Sequence, residues 1–159
     1  MENSDKYLLY ISKGTSLVEM IVLLCIISIL LGASMPSIKA LGSGLILHMQ
    51  AVQLAQDIRY TQHLALTHRE KYKLVLYVDE NSYNIRLQSP IKSPIKKVEL
   101  CEGVYIRYST LAGSGDYRYI EFNYKTGLPG RTGTIYLADH YGNTKNIVIM
   151  PTTGRVRIQ

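Results

Sequence analysis

Apolar residues are distributed in three regimes along the chain. From Met20 to Ile38 there are nineteen residues without a charge, and Glu19 is the only charge between Thr15 and Ile38. As a helix at 1.5 Å per residue such a run spans roughly 28 Å, about the thickness of a hydrocarbon core. From Leu45 to His68 the period is helical, with Leu47, Ala51, Leu54, Ile58 and Ala65 on one stripe at spacings of three, four or seven. That stripe predicts a helix lying on a sheet. Between the two, Pro36 removes a backbone hydrogen bond, and the glycines of "LGSG" (Leu41–Gly44) each disfavour a helix interior by about 1 kcal/mol against alanine. The helix is expected to continue past Pro36 with a kink, and a joint between apolar helix and domain is predicted at Leu41–Gly44.

From Lys71 onward the period is two. "KLVLYVD", "SYNIRLQ", "IKKVEL", "VYIRYS", "YIEFNYK", "GTIYLAD", "KNIVIM" and "GRVRI" read as short strands. "DENS" (Asp79–Ser82), "GSGD" (Gly113–Asp116), "DHYGN" (Asp139–Asn143) and "PTTG" (Pro151–Gly154) read as turns, and "SPIKSP" (Ser89–Pro94) as a loop or protected edge. The predicted fold is α+β, one long N-terminal helix packed on antiparallel β-sheets. Its parts are a preamble (residues 1–14), an apolar helix (15–38) and a soluble domain (39–159). Within that domain the helix covers about 45–68 and the strands about 71–159.

Charge adds a constraint. Lysine and arginine number 18 against 12 acids, a net +6, and the charges of the preamble (Glu2, Asp5, Lys6, Lys13) cancel. The excess therefore belongs to residues 15–159, and it permits nucleic acid, anionic lipid or an acidic protein face as partner. The 13 tyrosines, against one Phe and no Trp, suit half-buried sheet positions with one polar end. Cys25 and Cys101 are not expected to pair, since the first falls in the apolar run.

Catalytic chemistry finds no constellation. His48, His63, His68 and His140 include no i, i+4 pair, and neither HExxH nor CxxC occurs. Ser89, Ser109 and Ser114 lack a nucleophile elbow, and "GSGD" lacks the strand and lysine of a phosphate loop. No enzyme and no cofactor is expected. Asp139 and Asn143 bring too few acidic ligands for Ca²⁺, so a hairpin turn is expected there and no metal. "GRVR" is different. In a strand, Arg155 and Arg157 project to one face about 7 Å apart while Val156 and Ile158 turn inward. Such a pair can bridge successive phosphates, or it can be a solvated outer face.

Three readings of the N-terminal stretch compete. A secretory signal cleaved near "GAS" (residues 32–34) leaves the long apolar run and Glu19 unexplained. A plain single-pass anchor tolerates the acid at a cost of ~2.5–3.5 kcal/mol at mid-helix and less toward an interface. The third starts from "KGTSLVE" followed by an apolar run and Pro36, which resembles the class III signal of type IV pilins and type II secretion pseudopilins. The resemblance implies that prepilin peptidase cuts between Gly14 and Thr15 on the cytoplasmic side. Glu19 becomes residue five of the mature chain and Pro36 residue twenty-two. The family commonly begins with an N-methylated Phe, where this chain has Thr15. The new amine of a neighbouring subunit can then pair with Glu19 and set register, which makes Glu19 and Pro36 assembly residues.

A second resemblance lies at the other end. "FNYKTGLPGRTGTIYLADHYGNTKNIVIMPTTGRVRI" is similar to the closing hairpins of H-type minor pseudopilins and FimT-type minor pilins, and "LAQDIRYTQHLAL" resembles their spine helix. The implied role is a low-copy, non-enzymatic filament subunit of a type II secretion or type IV pilus system. Its implied partners are prepilin peptidase and other pilins or pseudopilins. It would be single-pass in the cytoplasmic (inner) membrane, with the C-terminal domain on the outer side. FimT-type members that take up DNA carry a Gly-Arg-x-Arg ending, matched here by Gly154, Arg155 and Arg157, which implies duplex DNA as an alternative partner.

Overall fold

The computed structural model describes residues 16–88 and 93–159, with every side chain among them except those of residues 33–41 and 114. Gly14, Thr15 and most of the "SPIKSP" loop lie outside the described residues. The chain divides into two compact units between Ile38 and Lys39.

The element order is α1 (Leu17–His68), β1 (Tyr72–Tyr77), β2 (Ser82–Leu87), β3 (Lys96–Glu99), β4 (Val104–Ser109), β5 (Ala112–Ser114), β6 (Tyr117–Phe122), β7 (Gly133–Asp139), β8 (Thr144–Ile149) and β9 (Val156–Ile158). In the N-terminal unit every described side chain of α1 from Leu17 to Gly32 is exposed, including Glu19 in the first turn. Among the described residues no helix is long and apolar enough to cross a membrane. The predicted apolar run continues through Ala33–Ile38, whose side chains are outside them.

In the second unit, all strand pairs are antiparallel and form two sheets: a five-stranded one in the order β3-β2-β1-β6-β5 and a four-stranded one in the order β4-β7-β8-β9. One core cluster joins the helix to both. Leu47, Ala51, Leu54, Ile58 and Ala65 are at most 1% exposed, so the stripe predicted from spacing is the buried one. They meet Leu74, Leu76, Ile85, Ile120 and Phe122 of the larger sheet and Ile106, Ile135, Leu137, Ile147 and Val156 of the smaller.

Two expectations change. The helix continues through Pro36 as expected, and it is unbroken also through Leu41–Gly44, where a joint was predicted. Tertiary contact outweighs propensity here: Ser43 Oγ donates to Asp139 Oδ2 at 2.9 Å, and Gly44 lies against Asn143 in the β7–β8 turn. The second change is β5, since "GSGD" is not all turn. Ala112–Ser114 pairs with β6, and the reversal is confined to Gly115 and Asp116. A Cβ on Gly113 would lie 2.1 Å from Tyr117 O, so the strand exists because glycine lets two backbones approach.

Candidate functional site

The predicted arginine pair ends the smaller sheet. Gly154 adopts φ +63°, a left-handed conformation that glycine takes without penalty, and this turns the chain from the Pro151–Thr153 turn into β9. A side chain there would also collide with Gln62 Nε2, at 2.8 Å from the Cβ position. Val156 is buried against the core while Arg155 and Arg157 are exposed, as the alternation predicts. Neither guanidinium makes a hydrogen bond or ion pair among the described residues.

Sequence pattern alone misses what α1 contributes. Arg59 donates from Nη2 to Val156 O at 3.1 Å, and Gln62 from Nε2 to Gly127 O at 2.7 Å. Arg59, Gln62, Thr153 and residues 154–157 line a cavity of about 330 Å³ between helix and last strand. Three arginines thus share one cleft. The signal available was the polar pair Arg59 and Gln62, three apart beside the apolar stripe, but periodicity says which face a residue takes and not what it faces. Lys125, Arg131 and Lys145, which could have joined the patch, do not line this cleft.

Asp139 closes the β7–β8 turn. Oδ1 accepts from the backbone N–H of Tyr141 (2.9 Å) and Asn143 (2.8 Å), and Oδ2 accepts from the Asn143 amide (2.7 Å) and the Ser43 hydroxyl. Burial pushes this carboxyl up, but the hydrogen bonds from Asn143, Ser43 and the two backbone amides outweigh it and hold it below the usual carboxylate range. With both oxygens occupied by donors, the carboxylate is a turn cap. Among the described residues no group of three or more His, Cys, Asp or Glu could hold a metal ion.

Asp57 on α1 is a second buried carboxylate, 6% exposed. Lys96 Nζ, at the start of edge strand β3, donates to its two oxygens at 2.6 and 2.7 Å, and Tyr83 OH donates to Oδ2 at 2.7 Å. Burial and the Asp57 carboxylate together push the Tyr83 phenol far above its usual value. The trio ties three elements together, and nothing in it resembles a catalytic arrangement open to substrate.

This arrangement of helix and two sheets is shared with two solved proteins. The type IV minor pilin FimU of Pseudomonas aeruginosa superposes with a TM-score of 0.57 at 14% identity, over 71% of this chain and 87% of that one. The minor pseudopilin EpsH from the type 2 secretion system of Vibrio cholerae gives 0.57 at 12% identity, over 71% and 95%. The chain has the minor-pilin fold. A second crystal form of FimU agrees at 0.57 and 15% identity. No family model matches the sequence, and no curated protein matches it. One of the two solved proteins is a type IV minor pilin and the other comes from a type 2 secretion system, so the fold is common to both kinds of filament component.

Proposed function

We propose that the protein is a minor pilin or pseudopilin, a low-copy structural subunit of a type II secretion or type IV pilus filament. It is cut by prepilin peptidase between Gly14 and Thr15 and held in the cytoplasmic membrane by residues 15–38, with the β-domain outside. The observation that carries the reading is the pilin fold joined to the Gly14, Glu19 and Pro36 spacing ahead of it. A helix apolar on every side is stable only when lipid or other helices cover it, and α1 exposes large apolar side chains all round from Leu17 to Leu31. After cleavage the Thr15 amine, methylated or not, is four residues from Glu19 in the sequence and pairs with the acid of a neighbour. The role is assembly, with no reaction of its own. Intact-mass measurement on the protein from cells containing the peptidase should give a chain beginning at Thr15. A product that retains residues 1–14, or begins after Ser34, overturns the reading.

A second reading is favoured by the unpaired outward arginines. Arg155 and Arg157 contact the phosphates of DNA carried for uptake, with Arg59 behind them. The full chain in detergent micelles should shift duplex DNA at low salt, with affinity falling steeply as salt rises. Arg155→Ala with Arg157→Ala should weaken binding alike on every sequence. Absence of a shift at low salt removes this reading and leaves the first untouched.

A further inference from the structure

Both sheets carry more cations than acids on their strands; in the five-stranded one these are Lys73, Arg86, Lys96, Lys97 and Arg118 against Glu99 and Glu121. Some of those cations are paired, Lys97 with Glu99 at 3.3 Å and Lys96 with Asp57 of α1, while Glu121 meets Lys71 beside β1 at 3.4 Å. In the four-stranded sheet no described strand residue makes an ion pair. Among its described strand residues the cations are Arg107, Lys145 and Arg157, with Arg155 just before β9, and Asp139 is the one carboxylate. Asp139 is 1% exposed and capped by four donors. Glu102 lies in the turn before β4, outside the strands.

The register gives the outer face. Val104, Ile106, Ile135, Leu137, Ile147, Ile149 and Val156 are buried. Their alternates are therefore outward, in the cross-strand rows Tyr108, Tyr136, Asn146 and Thr134, Val148, Arg157, with Tyr105 opposite the buried Ala138. Tyr108 and Tyr136 stack with ring centroids 4.0 Å apart and planes 17° from parallel, and Tyr108 is 47% exposed. A bulge falls between Ile106 and Tyr108, where Arg107 is the extra residue. Arg107 is exposed; the Tyr136 hydroxyl raises the Tyr108 phenol above its usual value, and the Arg107 charge offsets this only in part. Bulges re-aim a side chain, and this one sets Arg107 out of the strand's alternation, next in the chain to Tyr108. From β7 to β9 is two strand spacings, about 10 Å.

We propose that the outer face of the four-stranded sheet binds single-stranded nucleic acid. Unpaired bases stack on the Tyr108–Tyr136 platform, and Arg107 on one side and Arg155 and Arg157 on the other hold phosphates. The inference rests on the DNA-binding reading of the arginine pair and narrows it. Base stacking on aromatic rings is sequence-tolerant and needs an open base face, whereas a duplex presents mainly phosphates to the arginines. An acidic protein would satisfy the arginines but leave the ring pair without a planar partner.

The test uses the full chain in detergent micelles at low salt, with fluorescence anisotropy against three labelled probes. These are an oligothymidylate, an abasic oligomer of the same length, and a duplex. Oligothymidylate should bind about tenfold more tightly than the abasic strand. Tyr108→Leu with Tyr136→Leu should erase that difference, and Arg155→Ala with Arg157→Ala should weaken all three probes alike. Equal affinity for the thymidylate and abasic strands, or a preference that survives the tyrosine changes, overturns the inference while the phosphate reading stands. A base preference that persists while the arginine changes have no effect sinks the phosphate reading alone. No binding of any probe overturns both and leaves the face to an acidic protein. If the tyrosine variant loses its β-sheet circular dichroism, the thymidylate-against-abasic comparison on the unaltered chain still decides.

Discussion

Asp139 accepts four hydrogen bonds, whereas Asp57 meets a lysine and a tyrosine. Both are buried, so removing a partner from either leaves a polar group without its hydrogen bonds. Lys96→Met should destabilise the domain by about 2 kcal/mol, below the 3–5 typical of fully buried pairs because the lysine side chain is 39% exposed. Urea denaturation measures this, and Asp57→Asn in the same chain should recover part of the loss. Asp139 makes a prediction in pH. Its folded carboxyl lies below its unfolded value near 3.8, so its contribution is present above that value and lost as pH falls through the folded one. Thermal melts from pH 5 downward should show a decline that Asp139→Asn flattens. Neither cluster was legible as a cluster. Asp57 and Lys96 are 39 residues apart, and Ser43 and Asp139 are 96 apart. Sequence pattern marks each residue's face but not its partner, although "DHYGN" was readable as a turn and turned out to be one.

At the scale of elements, alternation served best where strands are two-faced. Val104–Ser109 and Gly133–Asp139 match their predicted bounds. In β9 the inward valine and outward arginines were also predicted, but the strand begins at Val156 because Gly154 is in the left-handed region. The missed strand, β5, is three residues long and glycine-bearing, so it has too few side chains to show a period. Its glycine has a different duty from a turn glycine: Gly113 is needed for space and Gly154 for conformation as well. Gly154→Ala should therefore cost roughly 1–2 kcal/mol from backbone strain alone, with more from the displaced Gln62. The melting temperature of the variant measures it, and unchanged stability would show that the turn can relax.

For the whole molecule, fold and function were legible to different depths. Helix stripe, strand alternation and turn residues imply α+β packing because they report burial, and the solved minor pilin and pseudopilin share that packing at TM-scores of 0.57. Identity of 12–15% shows that the packing is retained by a very different set of side chains. Residue roles therefore have to be tested in this chain. Glu19→Leu should yield a subunit that is still shortened to Thr15 but does not co-sediment with filaments, whereas Glu19→Asp should retain part of its incorporation. Equal incorporation of Glu19→Leu would remove the acid from any part in assembly.

The bond from Ser43 to Asp139 also has a mechanical meaning. Ser43 is the first described side chain of the second unit to join α1 to a sheet. Among the described side chains, tension applied to α1 from its N-terminal side thus meets the β-domain first at this point, before the apolar stripe that starts at Leu47. A short bond to a carboxylate that three other donors hold in place makes a stiff first link. Ser43→Ala should lower the force at which an optical trap begins to peel the helix from the domain, even where the equilibrium stability changes by only about 1 kcal/mol. The tyrosines and arginines of the outer sheet face should have no such effect.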